Sequence, residues 1–430
     1  MTPTSVSSLP DGAIALTLGL LLLAPLAIAG LALVNTGLGR SRSAAQSLLG
    51  ALVLVSATLL LFSLGGASLA SSAFGAPVVA HFAGKPWNLS GTGLPFLSGI
   101  AAVPAHALLS LLFECMAVAM AVLIPWGSGA DRFRLTSGIA AACALALLVF
   151  PFAAHWVWND GWLAQLGANF SLGTGFLDAG GAAPVHLLGG LSALAVIWII
   201  GPRRGKFPRE GLSTAMPGHN AIYVLFGCAV ALVGWLAWNL AGAELWLNAP
   251  VSALPVVAIN TALSAAAALI ATFVVTHIRF TKPDASLCAN GWLAGLVASS
   301  ACSAVVTPFE AALVGLISGI ATPILVEVFE LAVSIDDPTG AIAAHAVSAA
   351  WGLFAAGLFA PQKGQLLAQL IGIATFVGLF FPAIYLLFWL INRVLPFRVE
   401  ADGERIGMDL HELGGGAYPE FVVHRDDSYR

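Results

Sequence analysis

The chain has 430 residues, 59% of them hydrophobic and only 9% charged, with 46 glycines and a formal net charge of −4. Mean hydropathy is +0.93. So little charge cannot keep a fold of this size in aqueous solution, which excludes an ordinary soluble domain and points to a polytopic membrane protein. The five cysteines (Cys115, Cys143, Cys228, Cys288 and Cys302) sit in apolar segments, at spacings that suit neither disulfides nor a metal, and read as small core residues. With no Lys/Arg-led start and no clear cleavage site, no signal peptide is expected.

Taken in chain order, the apolar runs predict eleven spans. The first two lie near 12–35 and 46–69, separated by Arg40 and Arg42. A polar stretch with Lys85 leads to a third near 96–125, which carries Glu114. Arg132 and Arg134 precede a fourth near 136–157, and a longer loop leads to a fifth near 179–201. Arg203, Arg204, Lys206 and Arg209 follow, then spans near 220–243 and 251–278, then Arg279 and Lys282. The last four runs lie near 289–307, 309–333, 340–360 and 365–394, with Lys363 between the last two; Arg393, Arg398, Arg405, Arg425 and Arg430 close the chain. On alternate sides of the membrane, fifteen of the seventeen Lys and Arg fall on one side and only Lys85 and Lys363 on the other. By the positive-inside rule the N-terminus is expected outside and the C-terminus in the cytoplasm. The expected division is a transmembrane domain over 1–397 and a cytoplasmic tail over 398–430.

One phrase occurs twice. Asp178 and His186 stand eight apart in DAGGAAPVH, as Asp337 and His345 do in DPTGAIAAH. Each His opens a run of small apolar residues, where an imidazole needs a partner or a task. His186 lies in the fifth span and His345 in the tenth, so a duplicated five-span unit must insert its second copy upside down. Inverted repeats of this kind place a shared site near the bilayer midplane. The expected fold is therefore an all-α membrane protein of two inverted five-helix repeats plus a C-terminal helix. Asp178 and Asp337 are expected in the first turns of their helices, where a carboxylate suits the helix N-terminus. Two adjacent imidazoles can share one N–H···N bond and leave their outer nitrogens free; a zinc site is a poor alternative, because no third ligand accompanies them. No metal or cofactor is expected, no nucleophile–base pair suggests an enzyme, and no nucleic-acid partner is expected.

Five ordered phrases carry a resemblance: HWVWNDGWLAQLGA, DAGGAAPVH with LLGGLSAL, GPRRGKF with PGHNAIYVLFGCAVALVGWLAWN, IDDPTGAIAAHAVSAAWGLFAAGLFA, and GERIGMDLHELGGGAYPEF. From the third span to the tail the chain resembles the ammonium transporter family (Amt/Mep/Rh). The resemblance implies a homotrimer in the lipid bilayer, here a bacterial inner (plasma) membrane, with one pore per subunit for ammonium or a related small amine. It implies His186 and His345 as the twin pore histidines, Trp158 and Trp235 as vestibule aromatics, and Asp178 as the structural carboxylate. It also implies a PII-type regulatory protein as a partner at the cytoplasmic face. Counted back from GADRF, the family's outer gate phenylalanine falls on Ala117; the resemblance also places its second gate phenylalanine on Trp238, its cation-contacting serine on Gly242, and a glutamine usual in the third span on Glu114.

Other readings of these residues stay open at this stage. Trp158, Trp235 and Trp238 suit either an interfacial belt or a cation–π cage. Glu114 suits either a protonated acid bonded to a neighbouring helix or an ionised vestibule site, with His106 on roughly the same helix face. The main functional expectation is ammonium/ammonia conduction. The alternatives are an altered substrate on the same scaffold (a methylated or larger amine, or a neutral gas) and an ammonium sensor with little flux.

Overall fold

The computed structural model describes residues 10–71, 75–93, 95–210 and 213–418; residues 419–430 of the expected tail lie outside these. Among the described residues, eleven helices are long and apolar enough to cross a membrane: Asp11–Leu38, Ser41–Ala70, Ala105–Ser128, Leu135–Trp158, Ala182–Ile200, Ala221–Leu247, Val251–Phe280, Ala285–Cys302, Pro308–Leu331, Ile342–Phe359 and Gln365–Val394. The third begins nine residues later than its apolar run does. Two short turns, Pro95–Leu97 and Ile100–Ala102, precede it, with Phe96 and Gly99 at positive φ. Pro104 then caps the helix with extended backbone, a conformation that cannot continue a helix backwards.

One element departs from the all-α expectation. Strands β1 (Val78–Phe82) and β2 (Lys85–Ser90) form an antiparallel hairpin whose turn residues Ala83 and Gly84 both have positive φ, as the twist of a two-residue hairpin demands. Trp87 anchors it against Trp162, with ring centroids 4.6 Å apart. The Asn88 amide donates to the Asp160 carbonyl at 3.0 Å. The hairpin is thereby fixed to the loop that follows the fourth span.

The duplicated units meet along matching spans. The first packs along the sixth, where Gly30 and Gly227 let the two backbones touch, and the fifth approaches the tenth where Gly190 faces Ala346. Asp178 and Asp337 lie at opposite ends of the bundle. Asp178 sits beside the loops at 160–176 and 248–250, and Asp337 adjoins the loops at 128–132 and 203. The fifth and tenth spans thus enter from opposite sides, as an inverted repeat requires.

The end holding most of the Lys and Arg is tied by buried ion pairs. Arg203 binds Asp336 through Nε at 2.9 Å and Nη2 at 2.8 Å, and reaches Asp131 through Nη1 at 3.2 Å. Arg132, fully buried, donates to the carbonyls of Gly201, Ala130 and Asp336. Burial lowers the Arg132 guanidinium to about 10 despite the nearby Asp336. Burial raises the Asp336 carboxyl, but its bonds to Arg203 and the charges of Arg132 and Arg203 outweigh this and bring it down to about 2. The tail segment closes over this end. Asp409 accepts from the backbone N–H of Ala45 (3.1 Å) and Gln46 (2.7 Å), and Glu412 from Leu135 N–H (3.0 Å). Two tail carboxylates therefore cap the N-termini of the second and fourth spans, where unpaired N–H groups and the helix dipole favour negative charge.

Asp336→Asn should lower stability by roughly 3–5 kcal/mol, because it leaves two buried guanidinium groups short of their counter-charge. The folded-state pKa of Asp336 lies below its ordinary 3.8, so its stabilisation is complete above that value and is lost as the pH falls through about 2. Thermal unfolding of the purified protein from neutral pH to pH ~2 should show this acid loss, reduced in Asp336→Asn. A variant that melts like the parent at neutral pH would contradict the assignment.

Candidate functional site

The site is built from the two copies of one loop. In the first, Asp178 accepts hydrogen bonds from the N–H of Ala182 (2.8 Å) and Ala183 (2.6 Å), and Gly181 holds φ +76°. In the second, Asp337 accepts from the N–H of Ile342 (2.9 Å) and Thr339 (3.3 Å), and Gly340 holds φ +64°. The duplicated unit is thus D-x-x-G-x-x-x-x-H. The carboxylate satisfies orphan N–H groups from outside the helix, and the left-handed position is one that glycine alone adopts without strain. Both helices then open with π-helical turns, Ala182–Leu187 and Ile342–Val347. Wide turns of this kind recur at functional sites because they redirect a side chain within a helix, and here each carries the histidine.

The two imidazoles meet. His345 Nδ1 lies 3.3 Å from His186 Nδ1, with the rings 22° apart, and both residues are buried. An Nδ1-to-Nδ1 hydrogen bond requires one protonated and one bare nitrogen. In a neutral pair the partner with Nδ1–H then has a bare Nε2, and the other has Nε2–H. The pair therefore presents one acceptor and one donor. His186 Nε2 is buried without a protein partner. Among the described residues, no set of three His, Cys, Asp or Glu is arranged to hold a metal.

The expected tryptophan cage is divided. Trp235 stacks on His186 with ring centroids 5.0 Å apart, and its indole donates to Ser300 Oγ at 2.9 Å; it lines the histidine pair instead of joining the other two. Trp158 donates to the Asp178 carbonyl at 2.8 Å and Trp238 to the Gly180 carbonyl at 2.7 Å. The first copy of the loop thus holds both indoles as well as aiming its histidine.

Ala117 carries no ring, but an aromatic side chain stands one helical turn earlier, at Phe113. Phe113 stacks on Trp238 at 4.0 Å and meets Trp158 and Trp246 edge-on at 5.3 and 5.7 Å. Ala117 is itself fully buried. Gly242 is not a vacant hydroxyl position either. A Cβ there would collide with the Ala179 carbonyl and stand 3.3 Å from Phe113 Cε2, so this glycine is what lets the sixth span pass so close to the loop. Trp246 escaped the sequence reading, although Trp238, Gly242 and Trp246 are spaced four apart and share one helix face. Trp246 stacks on Trp158 at 5.2 Å with the planes 8° apart. Above the rings opens a cavity of about 630 Å³ lined by Trp158, Asp160, Asp178, Trp246, Asn248 and Gln362 among others.

Glu114 is turned aside from the cavity lining. It is 1% exposed, and its Oε1 accepts from the Asn159 amide at 2.6 Å while Oε2 has no protein partner. That is the hydrogen-bonded arrangement weighed for it; its neighbour Phe113, and not Glu114, faces the rings. Two further buried polar residues were missed. Glu244 in the sixth span lies 2.5 Å from Thr17 Oγ1, and His155 Nδ1 lies 2.8 Å from the Ala70 carbonyl. Glu244 lies just past the apolar run read over 220–243, and His155 opens a phrase that was read for its resemblance and not for the histidine.

The model of the Ammonium Transporter Family matches residues 15–418. An ammonium transporter Amt2 of Archaeoglobus fulgidus is 31% identical over 416 residues, covering 92% of this chain and 85% of the relative. An ammonium transporter of Bacillus subtilis is 28% identical over 406 residues, covering 91% and 94%. A solved structure described as a sensor Amt protein superposes with a TM-score of 0.83 at 26% identity, covering 93% of this chain and 98% of that one. Mep2 of Candida albicans superposes at 0.78 with 22% identity, covering 98% and 93%, a likeness of fold.

Gly242→Ser should destabilise the protein by roughly 1–3 kcal/mol through overpacking against the Ala179 carbonyl, visible as a lower melting temperature and poorer yield. A Gly242→Ser protein as stable as the parent would show that the sixth span has room to move there.

Proposed function

The chain belongs to the ammonium transporter family, and from that premise we propose that it takes up ammonium in the cavity beside Trp158 and Trp246 and passes neutral ammonia past the stacked Phe113 and Trp238, whose rings must part to admit it, and along His186 and His345. The protein is an integral membrane protein and an ammonium transporter by family. The observation that carries the residue assignment is the 3.3 Å contact between the two Nδ1 atoms in an apolar interior. An ammonium ion in such a section loses its hydration at a cost of several kcal/mol, and for uncharged ammonia that cost is far smaller. The nitrogen therefore gives one proton to solvent on the cavity side and regains one beyond the dry section. Ammonia is both donor and acceptor, and the histidine pair offers one site of each kind. His186, with its free Nε2, and His345 serve as stepping positions, and Trp235 holds the first ring in plane.

In this reading the cationic end faces the cytoplasm of a bacterial plasma membrane, with the N-terminus outside. Residues 1–397 form the membrane domain, residues 398–430 form a cytoplasmic tail, and three copies assemble. Asp178 and Asp337 set the loops that aim the histidines, and a PII-type protein docks at the face the tail covers. Capping of the second and fourth spans by Asp409 and Glu412 supports a structural task for the tail. Sensing with little flux is a second reading, favoured by the similarity to the sensor Amt protein.

Ammonium-evoked current or pH change in proteoliposomes separates these readings: transport gives sustained flux and sensing gives none. His186→Ala and His345→Ala should each alter flux by about tenfold or more, as expected when an interaction worth 1.4 kcal/mol or more in the transition state is removed, with assembly intact. Two single variants that conduct like the parent would contradict the twin-histidine path. Truncation before Arg405 removes both helix caps and should lower the melting temperature and change activity; no change in either would count against the structural task of the tail.

A further inference from the structure

We propose that Gln369, in the last span, is a positioning residue for the pore: it holds the peptide that enters the first Asp–His loop and, through Asp178, sets the seats of His186 and Trp158. The inference rests on the transport reading above and names a residue outside the duplicated unit on which that path depends. The span Gln365–Val394 is the least buried of the eleven, yet Gln365 and Gln369 are only 1% and 0% exposed. A buried primary amide is unfavourable unless it is hydrogen-bonded, and each of these finds both a donor and an acceptor on the loop before Asp178. Gln365 Oε1 accepts from the Thr174 N–H at 3.0 Å, and its Nε2 donates to the Gly175 carbonyl at 2.6 Å. Gln369 Oε1 accepts from the Leu177 N–H at 2.8 Å, and its Nε2 donates to the Leu177 carbonyl at 2.7 Å. Four helical residues rise about 6 Å, and two residues of extended chain cover about 6.6 Å. Glutamines one turn apart on one helix face therefore meet carbonyls two residues apart. Gly372 continues that face, and a Cβ there would overlap the Phe176 ring.

The same peptide is gripped in the other copy of the loop. Leu177 precedes Asp178, and Asp336 precedes Asp337. The Leu177 carbonyl accepts from Gln369, and the Asp336 carbonyl accepts from Arg132 Nη2 at 2.9 Å. Neither Gln369 nor Arg132 belongs to the helix it steadies. Two inverted copies thus fix one peptide with unrelated side chains, an arginine at the cationic end and a glutamine at the other. What the two grips share is the position of that peptide, not their chemistry. The contacts downstream give the reason. The Leu177 carbonyl and the Asp178 N–H belong to one planar unit, so Gln369 fixes the direction in which the chain enters Asp178. The Asp178 carboxylate then accepts from the N–H of Ala182 and Ala183, ahead of His186, and its carbonyl takes the Trp158 indole. A shift of the 177–178 peptide therefore moves the histidine and the tryptophan together. Thr375, further along the same span, is a contrast: its hydroxyl donates to the Ile371 carbonyl of its own helix at 2.8 Å.

The test uses the full-length protein, in proteoliposomes for ammonium flux per folded protein and in detergent for equilibrium binding of ammonium by intrinsic tryptophan fluorescence. Gln369→Met keeps the length of the side chain and removes both bonds. It should raise the half-saturating ammonium concentration about threefold or more and lower maximal flux by at least as much, the reach of two lost buried hydrogen bonds. Trp158→Phe removes the indole N–H held by the Asp178 carbonyl, and should raise half-saturation less in the Gln369→Met background than in the parent, since both act through Asp178. Thr375→Val should keep parental kinetics. A residue that only stabilises the fold lowers flux with the amount of folded protein and leaves half-saturation alone. Parental half-saturation in Gln369→Met therefore overturns the proposal. Independent effects of Gln369→Met and Trp158→Phe overturn it too, as does a comparable shift in Thr375→Val. If Gln369→Met does not assemble, Gln365→Met, which releases residues 174 and 175, takes its place; half-saturation should rise about twofold or more, and parental kinetics there overturn the proposal. If the parent binds ammonium but gives no flux, the transport reading fails while the binding shift still decides on Gln369. If the parent neither binds nor conducts, both readings fall.

Discussion

His186 and His345 come from opposite ends of the bundle and meet with their Nδ1 atoms 3.3 Å apart. Neither ring has solvent to fall back on, so each depends on the other for a hydrogen-bond partner, and leaving such a group unpaired costs about 1–3 kcal/mol. The contact survives only if two helices enter the apolar interior from opposite sides and stop their loops at the same depth. The repeated Asp, the left-handed Gly and the π-helical turn perform that placement twice. The first copy has further duties, because its carbonyls hold the indoles of Trp158 and Trp238. Histidine pair, aromatic constriction and cavity wall are thus referenced to one short loop.

The two ends of the molecule solve different problems. At the cationic end, Arg203, Arg132, Asp131 and Asp336 sit buried where four loops meet, and a complete set of hydrogen bonds offsets the loss of hydration. The tail adds Asp409 and Glu412 as helix caps, so its docking and the seating of two spans are one event. At the other end the contacts are mostly between rings and backbone: the hairpin is pinned by Trp87 and Asn88, and the cavity is walled by Trp158 and Trp246. A polar network suits a face that must hold its shape, whereas the stacked rings at the other end leave an open cavity beside them.

Much of this was legible from the residues. Span number and order follow from apolar length, and the Lys/Arg split separates the ends because ordered membrane insertion leaves that trace in the sequence. The Asp–His spacing gave both the duplication and the meeting of the histidines. What escaped depended on register in three dimensions. Counting back from GADRF assumed that the third span keeps one depth, and so chose Ala117 where Phe113, one turn away, carries the ring. Gly242 read as a lost hydroxyl because the sequence does not display the Ala179 carbonyl pressed against it. The hairpin at 78–90 was hidden by its shortness and its lone pair of turn residues, and Trp246 by lying just past the apolar run read over 220–243, although it is the third step of a helix face. Trp235 shows the limit from the other side: it was expected in a vestibule cage or an interfacial belt, and its ring stacks on His186.

The central claim is that the two histidines act as one unit along a single path. A double-mutant cycle on ammonium flux in proteoliposomes, with His186→Ala, His345→Ala and the double variant, tests it most directly. If the pair is one unit, the first substitution removes the shared hydrogen bond, and the double variant should differ little from the more impaired single variant. If the effects of the two substitutions on flux simply multiply, the histidines act independently and the account is wrong.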